Sequence, residues 1–448
     1  MVAFTPPRVT DGSAGPDTCW HEMARKAGAP DLAQTGVPLS GEASCEVAVI
    51  GGGVTGLAAA LELAAAGADV CLLEAGALGE GASARAAGLW GPHPSGLYLE
   101  TLLKCFGTQA VRGYMDVLRR ATERMLAFAA SEGVDLQRAG NGLIEVAHDP
   151  RTFQRLARRA RLMKDLLGIE THVHPPGEFA EVGFASDEQF GAVLQRNGFG
   201  MNPLNLTAGL AGAAARRGAG LHPHSRVTQW ETGEGGHVLH TEGGRVRAQK
   251  VILAVNGYLD ESLHPLFAKR ILPVLCNVLV TRPLTDDELQ EQAWSVDEPC
   301  FSSAPDAPFF RLLPDRRFLF GARGGVDGSP TDERRTREWL IWRMGQMFPA
   351  WKTFEIVHFW RGLTARTRGR TPAVGRMAKD ASVFYAFGFH GMGLAAAYWS
   401  GGMLARAVTE GDSALRRIPP PLRGPARPWH WPDPRAGILR KNYRRDVR

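Results

Sequence analysis

Residues 45–74 read CEVAVIGGGVTGLAAALELAAAGADVCLLE, and this stretch decides the fold. Cys45–Ile50 is a short apolar run with Val at alternate positions, which predicts a buried strand. Val54–Ala66, rich in alanine and leucine, predicts a helix, and Asp69–Leu73 predicts a second strand closed by Glu74. Between the first strand and the helix, Gly51-Gly52-Gly53-Val54-Thr55-Gly56 fits G-x-G-x-x-G, with Gly51, Gly53 and Gly56 in the fixed places. In a chain with 53 glycines among 448 residues, that hexapeptide alone says little. The strand before it, the helix after it and an acid 18 residues past Gly56 make it a dinucleotide signature. Gly51 makes the tight turn, Gly53 lets the backbone approach a pyrophosphate, and Gly56 lets helix and sheet pack closely. The helix N-terminus offers N–H groups and a partial positive charge to the phosphates. Glu74 accepts both hydrogen bonds of an adenosine ribose and repels a 2′-phosphate, so the expected ligand is FAD or NAD rather than NADP.

On either side of this core the pattern is that of a large α/β protein. Residues 1–44 are rich in Gly, Pro, Ala and Thr and predict an extension with one short helix around Trp20–Ala27. Leu97–Ser131, Asp149–Leu167, Leu204–Arg217 and Thr331–Phe348 carry helical periodicity. Arg226–Val255 is strand-rich, Val274–Thr281 and Phe309–Phe320 alternate as strands do, and His358–Pro372 reads as extended. Ala381–Ala405 has no Asp, Glu, Lys or Arg, but its glycines and His390 divide it into a strand, a turn and a helix rather than a membrane span.

Hydrophobic residues make up 44% and charged residues 22%, which excludes global disorder. The net charge of +6 is a property of the tail: Arg416–Arg448 carries ten Lys/Arg and two Asp, leaving −2 for residues 1–415. The body therefore lacks the extended basic surface of a nucleic-acid binder, although Trp429, His430, Trp431 and Tyr443 interleave with arginine in the tail. Cys19, Cys45, Cys71, Cys105, Cys276 and Cys300 form no C-x-x-C pair, which argues against a zinc site and a disulfide scaffold, and so for reducing cytoplasm. His222 and His224 have no third ligand nearby in sequence, so no metal is expected. Met1–Thr18 lacks the basic start and apolar segment of a secretion signal.

Downstream of Glu74, Gly81-Ala82-Ser83-Ala84-Arg85-Ala86-Ala87-Gly88 resembles the G-A-S-G-R-N-G-G element of the D-amino-acid-oxidase-like flavoprotein family. Ser83, Arg85 and Gly88 match, while Ala84, Ala86 and Ala87 depart. Val251–Leu259 resembles that family's apolar strand ending in A-x-N-A-Y. Trp360-x-Gly362 with Thr367, Pro372 and Gly375 resembles W-x-G…T…P-x-x-G. Gly388-Phe389-His390-Gly391-Met392-Gly393 stands for G-F/Y-S-G-H-G, and Arg440–Asp446 is similar to a closing Y-R-x-R-D helix. The likeness is strongest to the gamma-glutamylputrescine oxidase branch, with glycine and sarcosine oxidases as cousins.

The resemblance implies an α/β fold with a discontinuous, Rossmann-like FAD-binding domain of the two-dinucleotide-binding type. Residues 45–96, 196–260 and 350–415 would form it; 97–195 and 261–349 would form a mixed or antiparallel-sheet substrate domain, with 1–44 and 416–448 as extension and tail. Implied cofactor contacts are Gly51, Gly53, Val54, Thr55, Gly56, Glu74, Ala75, Ser83, Arg85, Ala86, Ala87, Gly88, Val227, Ala254, Asn256, Gly257, Gly388, Gly391, Met392, Gly393 and Leu394. Non-covalent FAD is expected: no Cys follows Cys300, and Arg85 stands where covalently flavinylated relatives have a His.

The implied reaction is oxidation of an amine, with hydride leaving the carbon next to nitrogen and O2 or an electron carrier as acceptor. The implied catalytic set is His390, Arg361 and Trp360, with Tyr258 and Phe310 as further aromatic candidates and His93 as a weaker imidazole. His390 has two readings, a group assisting amine deprotonation and a space-filling hydrogen-bonder. Relatives acting on α-amino acids carry a carboxylate-binding cation where Thr364 or Ala395 stands here, so an amine lacking an α-carboxylate is expected unless Arg361 or Arg366 restores the charge. A same-fold dehydrogenase and a nucleotide-binding module working through the basic tail are the alternatives.

Overall fold

A computed structural model describes residues 4–7, 9, 18–29, 31–92, 96–423, 427–430 and 432–445. Gly41–Ile50 forms the strand read from Cys45–Ile50, lengthened at its start, and lies between Val70–Leu73 and Gly244–Leu253. The sheet runs Ala373–Arg376, Val383–Phe387, Gly244–Leu253, Gly41–Ile50, Val70–Leu73, Gly220–His222. All its neighbours pair in parallel except the antiparallel edge Ala373–Arg376. A hairpin, Gln229–Gly233 and Gly236–His240, continues antiparallel from Gly244–Leu253.

Buried parallel strands need cover on both faces, and small side chains supply it. Helix Val54–Ala65 crosses between the first two strands with Leu57, Ala59 and Ala60 fully buried. Helix Leu394–Glu410 lies so close to it that a Cβ on Gly401 would stand 2.3 Å from the Thr55 carbonyl. Helix Pro203–Arg216 packs nearby, capped by Asn202, whose side chain accepts from the Leu204 and Asn205 amides.

A second eight-stranded sheet runs Ile356–Thr367, Ile271–Pro283, Arg317–Arg323, Phe309–Leu312, Cys300–Ser302, Leu143–Val146, Ala192–Gln195, Thr171–His174. Its pairings are antiparallel except that of Cys300–Ser302 with Leu143–Val146. An aromatic core of Phe184, Trp294, Phe310, Phe318, Phe348 and Trp351 fills its back. One expected boundary is corrected here. Segment 350–415 is split between the sheets, because Ile356–Thr367 pairs with Ile271–Pro283 in the second sheet while Val383–Phe387 stays in the first.

Both chain ends are fastened to the body. Helix Cys19–Lys26 buries Trp20, whose indole donates to the Ala86 carbonyl at 2.9 Å. Helix Arg435–Tyr443 packs Leu439 and Tyr443 on Leu272 and Val274. Arg435 is 1% exposed, and its side chain is clamped by Glu261, Asp433 and the Ile271 carbonyl. The tail is thus part of the fold; Trp431 lies outside the described residues. Among the described residues, no helix is long and apolar enough to cross a membrane.

Candidate functional site

A cavity of about 2360 Å³ is walled by both sheets and by the C-terminal helix. Its first end is the glycine turn. Gly51 has φ +110°, and its amide donates to the Leu73 carbonyl at 2.9 Å. Any side chain here would collide: a Cβ on Gly56 would stand 1.9 Å from the Gly51 carbonyl oxygen, and one on Gly53 2.8 Å from Ser83 Oγ. Ser83 Oγ accepts from the Val54 amide at 2.9 Å, tying the second glycine-rich element to the helix N-terminus. The Glu74 carboxylate accepts from the Gly52 amide at 2.6 Å and the Gly76 amide at 3.1 Å. Burial pushes its carboxyl above the ordinary range, while the amides of Gly52, Gly76 and Ala75 pull it back down. Arg85 Nε donates to the Glu80 carbonyl and Nη1 to the Arg361 carbonyl. A cradle of bare backbone beside a hydrogen-bond-accepting carboxylate is what a dinucleotide's pyrophosphate and ribose require.

Of the expected cofactor contacts, all but Gly56 and Gly388 line this cavity. Those two act from behind the wall. Gly56 permits the close turn, and the Gly388 amide donates at 2.9 Å to Asn256 Oδ1, joining residues 132 apart in sequence. Asn256 holds φ +44° to do this.

At the other end, Gly388–Gly393 turns into helix Leu394–Glu410, as the sequence predicts. His390 sits in that turn at φ +57° and is 4% exposed. Its Nε2 lies 3.2 Å from Thr367 Oγ1, and its Nδ1 has no partner among the described residues. Burial, joined by Arg366, Arg323 and Arg370, pushes the imidazole down to about 3. A ring held neutral in this way is a weak base, and its hydrogen-bond contact is with Thr367.

The other two expected catalytic residues lie off the cavity wall. Arg361 is 4% exposed and is held by Asn277 Oδ1 at 2.9 Å and Asp332 Oδ2 at 3.0 Å, a buried ion pair between strand and helix. Trp360 turns to the N-terminal helix, meeting Trp20 edge to face, and its Nε1 donates to the Arg85 carbonyl at 2.9 Å. Both bond the Arg85 segment, Trp360 through its indole and Arg361 through its carbonyl. Phe310, fully buried, belongs to the aromatic core, whereas Tyr258 does line the cavity and accepts from the Leu363 amide. His222 bonds the Val37 carbonyl while His224 lines the cavity, so the two do not converge on one ion. His93 lies outside the described residues.

Sequence reasoning named Arg366 only as a possible replacement charge and missed Arg323 and the placement of Arg370 and Tyr443; all four line the cavity that also holds His390. Cys276 joins them, with burial pushing its thiol up to about 11.

The description FAD dependent oxidoreductase matches residues 46–407. The chain is 28% identical over 412 residues to the gamma-glutamylputrescine oxidoreductase of Escherichia coli (strain K12), covering 89% of each. It superposes on the crystal structure of glycine oxidase from Geobacillus kaustophilus with TM-score 0.69 at 24% identity, over 82% of this chain and 95% of that one. L-proline dehydrogenase from P. horikoshii aligns with TM-score 0.66 at 20% identity, over 83% and 95%.

Proposed function

The chain belongs to the family of FAD dependent oxidoreductases, and from that premise we propose that it oxidises a primary or secondary amine. Hydride and a proton leave the carbon and nitrogen, giving an imine that water converts to a carbonyl compound and either ammonia, from a primary amine, or a smaller amine, from a secondary one. O2 takes the two electrons and two protons as hydrogen peroxide. FAD supplies the two-electron acceptor when bound. We assign its binding to the Gly51–Gly56 cradle, Glu74, the Ser83–Gly88 element and the Gly388–Gly393 turn, held non-covalently. The neutral Cys276 thiol, the one cysteine on the described cavity wall, supports this, since the nucleophile for attachment is the thiolate. Acid precipitation then leaves the yellow colour in the supernatant.

The observation that carries the amine reading is the electrostatics around His390. Arg323, Arg366 and Arg370 all act on that imidazole. A cationic ammonium entering this field loses its proton more readily, and the neutral amine is the form that gives up hydride. This needs no dedicated base. The substrate would lie between the two sheets, in keeping with a nucleotide part built on the parallel sheet and a substrate part built on the antiparallel one. An anaerobic amine screen tests the reading: a substrate bleaches the flavin band, and failure of every primary and secondary amine to do so refutes it. Re-aeration then separates oxidase from dehydrogenase, since only the oxidase forms one peroxide per amine consumed.

A further inference from the structure

The second sheet ends in the edge strand Thr171–His174, which pairs among the described residues only with Ala192–Gln195. Side chains two apart on a strand share a face, so His172 and His174 stand side by side with ring centroids 4.2 Å apart. Pro175 then leads the chain into the short helix Pro176–Val182, which carries Glu178 to the same place. His172 Nε2 lies 3.2 Å and His174 Nδ1 2.7 Å from one oxygen, Glu178 Oε1. The three donor atoms all lie within 4.8 Å of one another, and no other three His, Cys, Asp or Glu side chains converge in this way among the described residues. His222 and His224, the pair that the sequence offers, do not.

The backbone under this cluster is fixed. Phe179, next to Glu178, is fully buried in the aromatic core against Phe184 and roots the helix. Gln189 Nε2 donates to the Pro176 carbonyl at 3.1 Å. Gly191 holds φ +94°, and a Cβ there would stand 2.8 Å from the His174 carbonyl oxygen, so the neighbouring strand lies tight against the pair. The open side faces water: the side chains of His172 and Glu178 are 59% and 45% exposed. Burial, with His172 and Arg196, pushes the His174 imidazole below its ordinary value, although Glu178 draws it upward. Both histidines hold the Glu178 carboxyl below its ordinary range. A nitrogen lone pair and a negative charge thus meet at one point, with a second imidazole beside them. Four-coordinate zinc, with bonds of about 2.0–2.1 Å, sets neighbouring donors about 3.3 Å apart. His172 and Glu178 already stand near that spacing, and His174 and Glu178 reach it by opening about 0.6 Å. Two nitrogens and one carboxylate suit zinc, whereas calcium and magnesium take oxygen ligands.

We propose that His172, His174 and Glu178 bind one Zn2+ ion, with water in the fourth position, and that the ion fastens the edge strand Thr171–His174 to the helix Pro176–Val182. Each imidazole then carries its proton on the far nitrogen and gives the near lone pair to the metal. None of the three residues lines the large cavity, so the site is separate from flavin binding and from amine oxidation.

The test uses the untagged, FAD-loaded full chain, stripped of metal with EDTA. Equilibrium dialysis against Zn2+, with the bound metal measured by atomic emission, should find one ion per chain at micromolar free Zn2+, undisturbed by millimolar Ca2+ or Mg2+. His172→Ala and Glu178→Gln change exposed side chains and should each weaken binding by about 10-fold or more while FAD content stays at the wild-type level. Zn2+ should raise the thermal midpoint of the wild type and leave that of His172→Ala unmoved, because an ion that binds only the folded chain stabilises it by mass action. Absence of stoichiometric Zn2+ from the wild type under these conditions overturns the proposal. So does wild-type affinity in both variants, which would put the ion elsewhere.

Discussion

The two ends of the cavity are built by opposite means. At the glycine end the working groups are backbone amides and one carboxylate, contributed by residues 51–88. At the arginine end they are long cationic side chains from residues 323, 366 and 370, joined by His390 and Tyr443. The first is complete within itself, with Glu74 already engaged by amide donors. The second carries unbalanced charge around a neutral ring. A site for a resident cofactor can be made by removing side chains until the backbone fits. At the arginine end the side chains stay, held by a carbonyl and a hydroxyl rather than by a carboxylate among the described residues.

The sharpest way to break this comparison is to fill the glycine end. Gly56→Val would drive a branched side chain into the Gly51 carbonyl, where even a Cβ stands at 1.9 Å. We expect loss of bound flavin and destabilisation of about 3 kcal/mol or more, read from the absorbance ratio and the thermal midpoint. Glu74→Arg should come next. It removes the acceptor for Gly52 and Gly76 and for two ribose hydroxyls, each bond to a charged group being worth about 1.5–3 kcal/mol, so FAD should be lost on dialysis while the fold persists. Retention of stoichiometric FAD would show that the cradle binds without its carboxylate.

The same contrast governs how much of the molecule is legible in its sequence. The glycine turn, the acid at Glu74 and the Ser83–Gly88 element are legible because their chemistry is local: a few consecutive residues make a turn, and the turn makes the site. The Gly388–Gly393 turn is legible for the same reason. Arg361 and Trp360 mislead because adjacency in sequence does not reveal which face of a strand meets the cavity; Arg361 faces Asp332 and Trp360 faces Trp20. The grouping of Arg323, Arg366 and Tyr443 arises only from strand pairing and from the docking of a helix 77 residues past Arg366. The tail reads as the source of the chain's net positive charge, and composition alone does not reveal that Arg435 is among the most buried charges among the described residues.

Two smaller effects sharpen the arginine end. Arg435→Ala leaves Glu261 and Asp433 without their shared cation and should cost about 3 kcal/mol in denaturant unfolding, loosening the helix that carries Tyr443. FAD content should not fall with it. The pH dependence of stability is the most gradual effect. The folded His390 protonates only near pH 3 against an ordinary value of 6.5, so between those values the unfolded chain binds one more proton than the native one. Stability should therefore decline as pH falls through that window, by up to about 1.4 kcal/mol per pH unit from this residue. His390→Gln should flatten the slope in thermal melts recorded between pH 6.5 and 4; an unchanged slope would mean the ring is open to water.

The C-terminal clamp has a consequence in time. A ribosome releases the chain from its N-terminus at about 5–20 residues per second, so Tyr443 emerges tens of seconds after Gly51. The central strand Gly41–Ile50 must meanwhile wait for Gly244–Leu253, which in turn waits for Val383–Phe387. A nascent chain thus exposes apolar strand edges for most of its synthesis, a burden that chaperones carry. Helix Arg435–Tyr443 is made after all the strands it packs on, so a nascent chain that has not yet reached Tyr443 lacks that part of the cavity wall.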